Sequence, residues 1–332
     1  ADDNGDLNMT YLGMALSRYI NGVAKKHGEI SRKMFPQYEI DYITNGIHHP
    51  YWISKPFRKL FSKRWPDWRT NPAILENAIE LDDLDVFDAH IENKFNLISY
   101  QKGHSWNLLD EELITIGFAR RFATYKRAIL IFHDIDRLGK ICKNHFQFIF
   151  AGKAHPHDQA AKKYIFQIHE AGEYLYENYG VKVVVMENYN MDLAHMLVSG
   201  VDVWLNTPNR YREASGTSGM KASLNGVPNF SVLDGWWLEG YRMNPLAGWP
   251  IGPDDSNPDD PGVSNNWDID SNVIYETLLD KIIPTYQDHD QWIFMQKNAI
   301  SLAAYFNSHR MVLEYAKRSY GLKEQLRWKY IL

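Results

Sequence analysis

The sequence predicts an α/β protein built on a doubly wound, Rossmann-like parallel sheet. Two observations predict it. Strand-like and helix-like segments alternate through the middle of the chain. The strand-like segments are continuous apolar runs, the pattern of strands covered on both faces. Right-handed crossovers between such strands wind helices onto both sides of the sheet.

Residues 9–27 and 73–95 carry helical spacing. Residues 113–119 (LITIGFA) form the first expected strand. Residues 125–141 follow as a helix, with Thr124 as its N-cap. Phe146–Ala151 is the second strand, and residues 158–176 are an amphipathic helix. Residues 181–186 (VKVVVM) form a third, β-branched strand. A short helix at 191–198, a fourth strand at 201–206 and a fifth at 229–233 complete the alternation. Residues 242–267 are rich in Pro, Gly, Asp and Asn and predict a long surface loop. Residues 273–284 and 291–320 predict closing helices. The expected division is a helical segment at 1–110, the sheet domain at 111–290, and C-terminal helices at 291–332.

Composition narrows the function. The net charge of −5 gives no basic excess for nucleic acid. The single cysteine, Cys142, excludes an internal disulfide framework and suits a reducing compartment. No apolar run approaches the roughly 20 residues of a membrane helix. The first residues are acidic and polar, unlike a signal peptide, so a cytoplasmic location is expected. The 11 Trp and 20 Tyr suit stacking on sugar rings, and suit ordinary core packing as well.

Ligands of such sheets sit at the carboxyl ends of the strands. After the first strand come Arg120, Arg121, Lys126 and Arg127, four cations in eight residues. A helix N-terminus there would make a phosphate site, although a solvated basic helix start has the same sequence. After the fourth strand comes EASGTSGMK at 213–221. Its small residues let main-chain N–H groups approach an anion. Its spacing is neither that of the P-loop nor that of a dinucleotide fingerprint. A lysine beside such a cradle suits phosphate pairing or carbonyl chemistry with pyridoxal phosphate. His155 and His157 lack the companions of a metal site. The acidic residues 254–260 lack calcium-loop spacing.

Taken together these segments resemble the α-glucan (glycogen/maltodextrin) phosphorylase family, over essentially the whole chain. EASGTSGMK, continued by Leu224-Asn225-Gly226 and Leu233-Asp234-Gly235, is similar to that family's pyridoxal-phosphate lysine motif. RRFATYKR at 120–127 resembles its phosphate-binding segment. ENYN at 187–190, TNGIHHPYW at 44–52, Asn21–Ala24 and the segment 306–310 agree in order and spacing.

The resemblance implies the C-terminal lobe of a two-lobed, GT-B-type glycosyltransferase fold. It implies pyridoxal 5'-phosphate carried on Lys221, with Thr217, Ser218 and Arg120 on its phosphate and Trp52, Tyr189 and Asn190 lining its pocket. Arg121 and Lys126 would hold inorganic phosphate, and Tyr125 would touch the glucosyl ring. Asn45, Glu213, Ser215 and Gly216 would bind the sugar. The implied reaction transfers a terminal glucosyl unit of an α-1,4-glucan or maltodextrin to phosphate, giving glucose 1-phosphate with retention. Arg120 replaces a lysine of the animal enzymes, Asn190 replaces an arginine, and Ser218-Gly219 replaces Gly-Asn. The family's N-terminal half has no counterpart here, so a fragment with weak or no turnover alone is expected, its partner being that half. A homo-oligomer is compatible with the sequence. A nucleotide-sugar glycosyltransferase without pyridoxal phosphate and a non-catalytic glucan-binding fragment are the competing expectations.

Overall fold

Six short apolar segments pair into one parallel sheet in the computed structural model, which describes residues 7–104, 108–155, 157–252 and 265–322. The strands are β1 (Ile114–Ala119), β2 (Phe146–Ala151), β3 (Val183–Met186), β4 (Val203–Asn206), β5 (Asn229–Val232) and β6 (Gly248–Ile251). Their spatial order is β3-β2-β1-β4-β5-β6, every pair parallel. The order reverses between β1 and β4, which places a crevice at their carboxyl ends.

Burial explains why the runs are continuously apolar. Every residue of β1, β2, β4 and β5 is buried. One face packs Phe118, Phe148, Phe150, Leu205 and Phe230 against helices that include Ile135–Cys142 and Trp267–Thr277. The other packs Ile149, Val184 and Trp204 against a core that also holds Phe57, Trp68, Leu97, Ile300 and Phe306. Residues from the first hundred positions and from the C-terminal helices thus share one core with the sheet.

Several expected elements differ. Residues 9–27 are a helix at Met9–Leu16, a two-residue parallel pairing of Asn21–Gly22 with Asp41–Tyr42, and a second helix at Lys25–Met34. Residues 73–95 divide into a 3-10 helix at Pro72–Glu80 and a long helix at Asp83–Lys102, capped by Asp82. The C-terminal stretch breaks at Phe306, where Asn307 caps a new helix. The expected loop at 242–267 contains β6, whose proline and flanking glycines hide a strand that pairs only with β5 among the described residues. Residues 253–264, including the acidic stretch, lie outside the described residues.

The helix expected at 125–141 is interrupted. Thr124–Lys126 is a single 3-10 turn with Ala123 at its N-cap position. Arg127 then takes the left-handed conformation (φ 46°), which stops the turn. The α-helix starts only at Ile135, where Asp134 accepts from the Arg137 N–H. Thr124 therefore caps no α-helix, and the cation cluster does not sit on a helix N-terminus.

Arg127 is drawn away by burial. Its guanidinium donates to the carbonyls of Thr207 and Pro208, both at 3.0 Å, and pairs with Asp270 at 2.7 Å. Arg210 reaches the same Asp270 carboxylate at 2.8 Å. All three side chains are buried. At the opposite end of the sheet, Asp202 pairs with Lys94 (2.8 Å) and His90 (2.9 Å) and accepts from the Thr115 N–H (2.7 Å). This second network ties the Asp83–Lys102 helix to β1.

Candidate active site

The crevice between β1 and β4 is lined by the residues that leave those strands. Arg120 follows β1 and donates through Nη1 to Oδ1 of Asn206, the last residue of β4, at 2.9 Å. Its Nη2 donates to Glu213 Oε2 at 2.7 Å. Lys126 Nζ donates to the same oxygen. One carboxylate thus gathers two cations in a largely buried place.

Charge follows from this crowding. Burial alone would raise the Glu213 carboxyl, but Arg120 and Lys126 overcome it and hold it below the usual range. Burial first, and the Arg120 guanidinium second, bring the Lys126 ammonium down to about 8. Tyr125 lies beneath that ammonium, its ring centre 4.4 Å from Nζ. Burial raises its hydroxyl. Arg121 is exposed at the rim, and its charge acts on both Tyr125 and Lys126. Of the four clustered cations, Arg120 and Lys126 face the crevice, Arg121 the solvent and Arg127 the core.

The lysine helix begins beside Glu213. It spans Thr217–Ser223, and Gly216 precedes it at φ +78°. A Cβ on Gly216 would stand 3.3 Å from Glu213 Cγ, so the chain turns against the carboxylate that holds the cations. The helix starts four residues before Lys221, which lies in its last turn rather than at its opening. Gly219 is needed for packing: a Cβ there would collide with Asn229 Oδ1 and stand 2.9 Å from Trp236 Nε1. Ser218 Oγ accepts from Trp204 Nε1 at 3.2 Å.

Lys221 Nζ lies 3.8 Å from the centre of the Trp52 ring. His195 stacks on that ring at 6.2 Å. Burial alone lowers the Lys221 ammonium, and no carboxylate pairs with it among the described residues. A partly desolvated amine without a counter-ion is a nucleophile closer to its neutral form than an ordinary lysine.

Beneath these groups sits Asp234, just past β5. Its oxygens accept from the Glu213 N–H (2.9 Å) and the Gly235 N–H (2.8 Å). Burial pushes its carboxyl up to about 7. Ser215 Oγ is buried without a hydrogen-bond partner among the described residues. It borders a cavity of about 10 Å³ shared with Asn206, Glu213, Asp234 and Trp236, space for one water.

The remaining expected residues sit on the surroundings. Tyr189 packs on the Trp52 core, and burial raises its hydroxyl against the opposing charge of Arg120. Asn190 is exposed, and its Oδ1 accepts from the Leu193 N–H at 2.9 Å as an N-cap. That local duty gives this position a use for asparagine. The Asn45 carbonyl accepts from Arg310 Nη2 at 2.9 Å, and the Thr44 carbonyl from Nη1 at 2.6 Å. Asn206 and Asp234 hold the cation cluster, Asn225 joins Lys221 to Trp52, and Arg310 holds the Asn45 segment; no role for any of them was read from the sequence. Only the motif continuations through Asn225 and Asp234 and the segment around Arg310 pointed towards them.

Residues 1–241 match a family model for carbohydrate phosphorylase. The chain belongs to the carbohydrate phosphorylase family. This phosphorylase-family chain is 38% identical to a maltodextrin phosphorylase of Thermococcus litoralis, with 96% of the chain and 41% of that protein covered. It is also 38% identical to a glycogen phosphorylase of Aquifex aeolicus, over 98% of the chain and 51% of the relative. A glycogen phosphorylase of Mycobacterium tuberculosis is 30% identical, over 96% of the chain and 41% of that protein. The chain spans about half the length of the curated relatives it matches. Among its described residues no helix is long and apolar enough to cross a membrane. No group of three or more His, Cys, Asp or Glu suited to a metal ion is found among them.

Proposed function

We propose that this chain is the pyridoxal-phosphate-binding lobe of an α-1,4-glucan phosphorylase with a two-lobed GT-B-type fold. The substrates would be a maltodextrin or glycogen chain and inorganic phosphate, and the product glucose 1-phosphate. The observation that carries this reading is the Lys221 amine, half-buried on the Trp52 ring and without a carboxylate partner among the described residues, on a helix that opens against Glu213.

The residues present fit the cofactor. Lys221 offers the amine for its aldehyde. Thr217 and Ser218 begin the helix, so their N–H groups lack intrahelical acceptors. Arg120 adds a cation, and Trp52 and Tyr189 supply apolar walls. Pyridoxal 5'-phosphate, when bound, supplies a phosphate whose second pKa of about 6 suits proton exchange near neutrality.

This chain's own residues would do the rest. Lys126 and Arg121 bind inorganic phosphate and offset its charge. Tyr125 closes the floor beneath Lys126. Glu213 shares its carboxylate between Arg120, Lys126 and a sugar hydroxyl, with Ser215 and Gly216 beside it. The C1–oxygen bond of the terminal glucosyl unit breaks, C1 joins an oxygen of the inorganic phosphate, and the departing glucan oxygen takes the proton that this phosphate gives up.

Incubation with pyridoxal phosphate, borohydride reduction and peptide mapping tests the reading. A label on Lys221 is expected. Absence of any label would favour a nucleotide-sugar transferase instead. Turnover by the chain alone is expected to be weak or absent, because half of its relatives' length is not in it.

A further inference from the structure

We infer that Asn225 is a positioning residue for the cofactor lysine, fixing Lys221 against Trp52. This rests on the function proposed above. Asn225 is fully buried, one helical turn beyond Lys221. Its Nδ2 donates to the Lys221 carbonyl at 2.9 Å and to the Trp52 carbonyl at 2.8 Å. Its Oδ1 accepts from the Ser54 N–H at 2.7 Å. Both donors and the acceptor of one carboxamide are therefore used, and two of the three bonds end on the very residues whose side chains meet.

The geometry has a functional meaning because the two partners come from distant parts of the chain. Trp52 ends the short His49–Trp52 helix, and Ile53 and Ser54 lead into the next helix at Lys55–Arg64. Lys221 belongs to the segment between β4 and β5. Nothing else with side-chain hydrogen bonds joins these two backbones directly among the described residues. Trp52 presents its ring to the amine only while its own main chain is held at this distance, and Asn225 spans that gap.

The bridge is also specific to its residue type. Aspartate would keep the shape and the Ser54 bond but would turn an acceptor towards two carbonyls. Leucine would keep the volume and leave three buried main-chain groups unpaired. A neighbouring residue serves as a control: Asn93 donates to Ser54 Oγ at 2.9 Å in the same buried network but touches neither Lys221 nor Trp52.

The experiment follows the adduct between pyridoxal phosphate and the purified chain by absorbance, across pH, with borohydride trapping. In the unaltered chain, failure to label Lys221 would overturn the proposed function itself. With Lys221 labelled, Asn225→Asp and Asn225→Ser are expected to weaken cofactor binding by about tenfold and to move the midpoint of adduct formation to higher pH, as the amine regains water. Asn93→Ala is expected to lower the unfolding midpoint yet leave the adduct's pH midpoint unchanged. Wild-type affinity and pH profile in both Asn225 variants would overturn the inference. So would an equal shift in Asn93→Ala, since that would reduce Asn225 to a contributor to stability alone. Should Asn225→Asp not fold, Asn225→Ser decides.

Discussion

The Lys221 ammonium stands over the Trp52 ring, 3.8 Å from its centre, although Trp52 precedes the whole sheet in sequence and Lys221 lies between β4 and β5. The ring both attracts the cation and keeps water from it. Trp52→Ala is expected to solvate Lys221 and return its amine towards ordinary lysine behaviour. Reductive labelling by pyridoxal phosphate at pH 7 should then slow by about tenfold for each unit regained. Labelling at the unaltered rate would mean that the aromatic wall is irrelevant.

Lys126 carries its charge close to its limit. Its pKa of about 8 is below the ordinary value, so the cation is complete near pH 6 and disappears as pH rises through 8. Phosphate binding by the chain, followed by calorimetry, is expected to weaken across that interval. Lys126→Arg should flatten the alkaline limb because a guanidinium stays charged. An identical limb in that variant would place the titration elsewhere.

Asp270 holds two buried guanidiniums at once, those of Arg127 and Arg210. Asp270→Ala leaves both without a counter-charge, which is expected to cost about 3–5 kcal/mol in urea unfolding. Because Arg127 adjoins Lys126, the same variant should also weaken phosphate binding. A loss below about 1 kcal/mol would show that water replaces the carboxylate.

Gly219→Ala tests the packing under the lysine helix. The added methyl has Asn229 and Trp236 in its way, and the strain is expected to cost about 1–3 kcal/mol. Thermal unfolding with and without pyridoxal phosphate would separate general destabilisation from loss of the cofactor's own stabilising effect. An unchanged melting temperature would show that the helix can shift freely.

Much of the fold was legible because burial leaves a one-dimensional trace. The short, aromatic and β-branched runs at Phe146–Ala151 and in β1 read as strands covered on both faces. β6 was illegible because Gly248, Trp249 and Pro250 resemble a turn until β5 pairs with them. The helix expected from 125 failed for a different reason. Ala128 and Ile131 have helical spacing, but Arg127 ahead of them is left-handed, with its side chain buried on Asp270. In the site, Lys221, Glu213 and Arg120 could be found because small residues and clustered cations mark them. The bonds of Asn225 could not, since a buried asparagine signals nothing until its partners from residues 52 and 54 arrive.

Cys142 is the sole cysteine of the chain, fully enclosed, and burial raises its thiol well above the usual range. A thiol so sealed is inert to alkylating dyes and mild oxidants. The protein therefore comes with a silent background for spectroscopy. A Thr124→Cys variant, exposed on the turn that carries Lys126 and outside the anion-binding side chains, would give it a lone reactive handle, able to carry a fluorophore at the mouth of the crevice and to report each arrival of an anion there.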